Sequence, residues 1–152
     1  MADEAAFDGV AFLGMARSAK RDPYRLGLFA RHLEPGERPL CLLPVRGGTL
    51  LATDRRLLEL RPHFDVHGAW NVQEFLGYEV HRAIPRESIR DVRRETGPST
   101  TRRGGSHDLE DALAIVTPAG DETVVVSRGP AAVLTDEEFA RLRAAILAHQ
   151  PK

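Results

Sequence analysis

The spacing of apolar residues changes near residue 38 and divides the chain into two regimes. Over residues 3–20, Phe7, Val10, Ala11, Phe12, Leu13 and Met15 are distributed in a helical rather than an alternating manner, interrupted by Gly9 and Gly14. Asp22-Pro23 then sets a capping carboxylate before a proline suited to a first helical turn. This predicts a second short helix running to about Leu33, with Tyr24, Leu28, Phe29 and Leu33 on its apolar side. Glu34-Pro35-Gly36-Glu37 ends it, because proline disfavours a helical residue before it and glycine permits the turn.

From Pro39 onward the pattern is that of strands, expected at 39–46, 49–53, 57–64, within 73–81, and at 88–95, 110–117 and 122–127, seven in all. Gly47-Gly48 joins the first two, and the polar turn Thr53-Asp54-Arg55-Arg56 precedes the third. Pro118-Ala119-Gly120-Asp121 makes a further turn, since proline fixes φ and glycine accepts conformations that other residues resist. Residues 96–108 contain no apolar side chain to anchor them, which predicts a mobile loop. The chain closes on a helix that Thr135 and Glu138 would open as a capping box, with Phe139, Leu142, Ile146 and His149 along one stripe. Glu137 and Arg141 add a pair one turn apart on the wet side.

At 152 residues the chain suits one domain with an N-terminal addition. Its 21 basic and 22 acidic residues nearly cancel, so nucleic acid is not expected as a partner and a membrane role would need a local patch. The single cysteine, Cys41, lies between Leu40 and Leu42 in an apolar strand, so no disulfide framework is available within one chain. Acidic residues at the start and the lack of any apolar run of bilayer length lead to the expectation of a soluble, cytoplasmic protein.

Three clusters carry candidate chemistry. His63, Asp65 and His67 alternate along a strand and would project two imidazoles and a carboxylate from one face, with His81 as a fourth ligand; an ordinary exposed polar face reads the same way. Arg93-Arg94 and Arg102-Arg103 flank the expected loop and could grip phosphate or an acidic peptide, or be solvated beside Asp54, Glu95 and Asp108. Trp70, Phe75 and Tyr78 crowd the segment 66–78, where they would serve a partner or cover the N-terminal helices. Cys41 has no base near it in sequence, no serine sits in a nucleophile elbow, and neither glycine pair leads into a helix that could hold phosphate. The expectation is a protein without catalytic activity or a cofactor.

Pro35-Gly36-Glu37, the segment from Leu50 through Thr53-Asp54-Arg55-Arg56 to Leu57, the segment from Ile84-Pro85 to Ile89, and the final helix occur in an order that resembles bacterial pleckstrin-homology-like (PH-like) and GRAM-like domains. The resemblance covers about residues 33–150. It implies a mainly-β α+β fold, a seven-stranded, strongly bent and partly open β-barrel with the last helix plugging one end. A helical extension over 1–33 would precede a PH-like domain over 34–150. Such domains bind lipid headgroups, peptides or other subunits. Lipid-binding relatives wrap a headgroup with a long basic first loop, whereas this chain has only Arg46-Gly47-Gly48 there. The resemblance therefore implies a binding module acting through a protein partner or homo-oligomer; its open strand edges, the aromatic segment with Trp70, Phe75 and Tyr78, or the N-terminal helices would be the contact surface. The alternatives are weak contact with anionic lipid or another anion through Arg93, Arg94, Arg102 and Arg103, and a metal-dependent activity at His63, Asp65 and His67.

Overall fold

A computed structural model of the chain describes residues 4–16, 22–67, 72–98 and 109–148. The two-residue strand β1 (Ala11–Phe12) lies between 3-10 turns at Glu4–Phe7 and Gly14–Ala16, and helix α1 (Pro23–Ala30) follows. The longer strands are β2 (Pro39–Val45), β3 (Gly48–Thr53), β4 (Arg56–His67), β5 (Val72–Pro85), β6 (Asp91–Pro98), β7 (Leu109–Thr117) and β8 (Gly120–Gly129). Helix α2 (Asp136–Leu147) closes the chain.

The strands form two open sheets, of five strands in the order β1-β2-β3-β4-β5 and of three in the order β6-β7-β8. The mainly-β α+β class is as expected, and the seven strands expected from residue 39 onward form as β2–β8; β1 adds an eighth in the N-terminal segment, and among the described residues two open sheets stand in place of the expected bent barrel. At one corner the sheets touch through the Arg46 N–H, which donates to the Val125 carbonyl at 2.9 Å. At the other, β5 leads into β6 through the 3-10 turn Arg86–Ser88 and the two strands are not paired.

Residues 4–16 also correct the expected helix. Gly9 and Gly14 adopt left-handed backbone, with φ of 80° and 59°, which breaks a right-handed helix. A Cβ at Gly14 would meet Leu43 Cδ1 at 2.8 Å, so the chain crosses the sheet there at a distance only glycine allows. The apolar side chains meant for a helix stripe are placed on the sheet instead: β1 pairs parallel with β2, and the Leu13 N–H donates to the Leu42 carbonyl at 2.9 Å. The second helix starts where expected but ends at Ala30, short of Leu33, and leaves Tyr24 exposed rather than on its apolar side. Asp22 caps it, accepting from the N–H groups of Tyr24 and Arg25, and Pro23 occupies its first turn.

Sheet strands β2, β3 and β4 are apolar at successive positions because both of their faces are covered. Leu43, Leu50 and Leu57 face an inner cluster shared with Leu113 and Ile115 of β7 and with Leu142 and Ile146 of α2. Leu42, Leu51, Leu58 and Leu60 face an outer cluster made with Phe7, Leu26 and Phe29 of the N-terminal segment. Each such side chain contributes about 1.5–3 kcal/mol when fully buried, so the N-terminal residues form a third layer.

The segments that carry the family resemblance meet in one polar network. The fully buried Glu37 carboxylate receives Arg56 Nε and Nη2, both at 2.9 Å, and the Thr53 hydroxyl at 2.6 Å. The Glu34 N–H adds a fourth donor at 2.9 Å, and Arg55 Nη2 donates to the Pro35 carbonyl at 3.0 Å. Arg86 then links this corner to the last helix, donating to the Asp54 carbonyl and to the carbonyls of Ala145 and Ile146. Those carbonyls lie in the last turn of α2, where a cation suits the helix dipole. Thr135 and Glu138 open α2 with the expected capping box.

Thr96, Gly97 and Pro98, expected in the mobile loop, belong to β6 and pair with Asp111, Glu110 and Leu109. Residues 99–108, like 1–3, 17–21, 68–71 and 149–152, lie outside the described residues.

Candidate functional site

Strands β4 and β5 form a hairpin with a register shift between Pro62 and Phe64, so that Tyr78 faces Pro62 and Phe75 faces Phe64. Gly77, at φ 96°, supplies the left-handed residue between them. The shift re-aims the strand so that the rings of Phe75 and Tyr78 meet edge to face, with centroids 5.4 Å apart. Phe64 packs on Phe75 at 5.7 Å, Tyr78 on Phe29 at 4.5 Å, and Phe29 on Phe7 at 6.4 Å. One end of this run of rings is core, since Phe7 and Phe29 are buried; at the other, Phe64 is 48 % and Phe75 37 % exposed. Tyr24, 68 % exposed, stands beside Phe75 across a recess of about 300 Å³ that Leu28 and Tyr78 also line.

Helix α1 fixes Tyr78 from two sides. Arg25 Nε donates to the Tyr78 hydroxyl at 2.9 Å, and the same guanidinium lies 5.8 Å above the Phe29 ring. His32 Nε2 lies 2.8 Å from the Tyr78 carbonyl, a contact that needs the imidazole proton on that nitrogen. The result is a seam between α1 and β5 whose outer rings are exposed while the inner ones are held rigidly.

Of the residues singled out in the sequence, Phe75 and Tyr78 come together in this seam, as strand residues of β5 rather than parts of a connection. Trp70, Arg102 and Arg103 lie outside the described residues. Arg93 and Arg94 are separated by the alternation of β6. Arg93 is exposed and pairs with Asp121 at 2.5 Å. Arg94 is largely buried, grips both oxygens of the fully buried Asp111 at 3.0 and 2.9 Å, and reaches Asp136 at 2.7 Å and the Leu134 carbonyl. Hydrogen bonds to Asp111 raise its pKa further against the effect of burial. Its donors thus fasten the start of α2 to the smaller sheet.

His63 and Asp65 lie on β4, with His63 Nδ1 3.5 Å from a Glu79 carboxylate oxygen. The His67 side chain lies outside the described residues, among which no group of three or more metal-ligating side chains occurs. Burial pushes the Cys41 thiol up, away from thiolate chemistry.

Tyr24, Arg25 and Phe64 of the seam were not recognised as contact residues in the sequence. Phe64 was hidden between His63 and Asp65, whose metal-ligand chemistry drew the reading. Arg25 carried no local signal, because its partner Tyr78 belongs to a strand formed much later in the chain.

Comparison with protein-family models, with curated proteins and with solved structures finds no match to this chain.

Proposed function

We propose that this chain is a non-catalytic, PH-like binding module that acts by contact with a second protein chain through the seam of Tyr24, Phe64 and Phe75. The observation that carries the reading is the run of rings itself: three exposed aromatic side chains, two of them continuous with a buried aromatic core. Exposed aromatics on a rigid support lose little side-chain entropy on binding, which suits them as anchors. The PH-like part of the reading is supported by order: four long strands, three more in a second sheet, then a helix against the inner cluster.

The occupant is a second copy of the chain. Charges of both signs flank the exposed rings along the chain: Arg25 beside Tyr24, Asp65 beside Phe64 and Glu74 beside Phe75. A patch with both signs can face itself across a two-fold axis, placing unlike charges together. Arg93 and Arg94, the described members of the anion-binding alternative, already hold Asp121, Asp111 and Asp136.

Sedimentation equilibrium tests the reading. The expected result is a dimer mass that reverts to the monomer in Phe64→Ser/Phe75→Ser, with thermal stability changed by no more than about 1 kcal/mol because both rings are partly exposed. A parent protein that is monomeric across the whole concentration range sinks it.

A further inference from the structure

A second cavity, of about 200 Å³, lies on the far side of Arg25 from the seam, between α1 and the outer face of β2 and β3. Phe12, Leu26, Phe29, Leu42 and Pro44 make its walls apolar, and two polar features break them. The first is Thr49, which lines the cavity while only 1 % exposed. The second is Arg25. Its Nε is held by the Tyr78 hydroxyl and its plane by the Phe29 ring, whereas Nη1 and Nη2 find no acceptor among the described residues.

We infer that this cavity binds a small carboxylate with an apolar body, the carboxylate accepting from the terminal nitrogens of Arg25 and the body lying against Leu26, Leu42 and Pro44. The guanidinium is pre-oriented, so its planar fork meets a carboxylate without loss of further side-chain freedom. Asp22 is the anion on the same wall, with one oxygen engaged by the Tyr24 and Arg25 N–H groups at the start of α1. Size narrows the class further: at about 30 Å³ per water-sized group, the cavity holds on the order of seven such groups, a short acyl or small aryl body. Thr49 supplies one hydrogen bond to an oxygen of the ligand.

Hexanoate is the probe, titrated into the full chain and followed by amide chemical shifts, with hexanol and hexylammonium as partners of equal length. Hexanoate is expected to shift the amides of Leu26, Leu42 and Thr49 and to bind at least tenfold more tightly than either control. Arg25→Gln should weaken hexanoate at least tenfold and leave hexanol unchanged; Thr49→Val should weaken hexanoate by a smaller factor. Ala16→Trp, which places a ring in the cavity, should abolish binding of both while the amide spectrum of β6, β7 and β8 stays as in the parent. No hexanoate binding, equal affinity for hexanoate and hexanol, tighter binding of hexylammonium, or an Arg25→Gln variant that binds hexanoate as the parent does would each overturn the inference.

Discussion

Glu138 accepts the backbone N–H of Gly14 at 3.1 Å through one carboxylate oxygen and the N–H of Thr135 at 3.0 Å through the other. One side chain therefore closes the first turn of α2 and fastens the N-terminal layer to it. Glu138→Ala is expected to cost about 1–2 kcal/mol, the sum of a lost reciprocal cap and a lost hydrogen bond. Amide exchange at Gly14 should accelerate in the same variant. Unchanged exchange there would show that the N-terminal segment is held by its apolar contacts alone.

Burial alone would push the Glu37 carboxyl up, but hydrogen bonds from Arg56, Thr53 and the Glu34 N–H, with the charge of Arg56, outweigh it and hold the group below its ordinary value. A carboxyl depressed in the folded state binds its proton more readily when unfolded. Its contribution to stability is present above the unfolded value of about 4.3 and is lost as pH falls through the lower folded value. Glu37→Gln should flatten the acid limb of a stability profile measured by denaturation between neutral and acidic pH. An acid limb as steep as in the parent would assign acid sensitivity to other carboxylates.

The adjacent arginines of β6 provide a second test of burial. Arg94→Ala leaves the Asp111 carboxylate buried without its partner, an expected loss of about 3–5 kcal/mol. Arg93→Ala removes an exposed pair and should cost less than about 1 kcal/mol. Equal effects in denaturant titrations would contradict the structural role given to Arg94.

Selective affinity for phosphorylated inositol lipids is not expected. β2 and β3 are joined by the two residues Arg46 and Gly47, a turn that supplies one cationic side chain where a polyphosphate headgroup needs several converging donors. Any contact through exposed arginines should be insensitive to headgroup stereochemistry and suppressed by salt. Liposome sedimentation at matched charge checks this, and tight, headgroup-selective binding at physiological salt would reverse it.

What could be read from the sequence depended on range. Asp22-Pro23, the Thr135 and Glu138 box, and the turn at Gly47 act within a few residues, and each formed where expected. The N-terminal segment was misread because its apolar residues are compatible with a helix stripe, whereas left-handed Gly9 and Gly14 let the same side chains lie against a sheet that does not yet exist locally. The signal for that sheet's second covered face was present in the uninterrupted apolar runs at 40–45 and 50–52, which a half-exposed strand would not show. Asp111, a carboxylate set in the run Glu110-Asp111-Ala112-Leu113-Ala114-Ile115, was the corresponding hint that an arginine had to be buried beside it. The seam was half legible: aromatic composition marked Phe75 and Tyr78, but Tyr24 and Arg25 join them only through tertiary packing.

The outer face of β2, β3 and β4 sets an order of assembly. Residues 4–16 are made before the sheet they cover: the surface that receives them is complete only after Leu60 has been made, and their tie to Glu138 waits for helix α2. Their docking joins contacts distant in sequence and is therefore late. The same layer is the natural first piece to detach under native conditions, because lifting it breaks no ladder between the long strands. Its departure uncovers Leu42, Leu51, Leu58 and Leu60 together, so the earliest partial opening of this protein already carries a continuous adhesive surface and favours clumping well below the temperature of global unfolding.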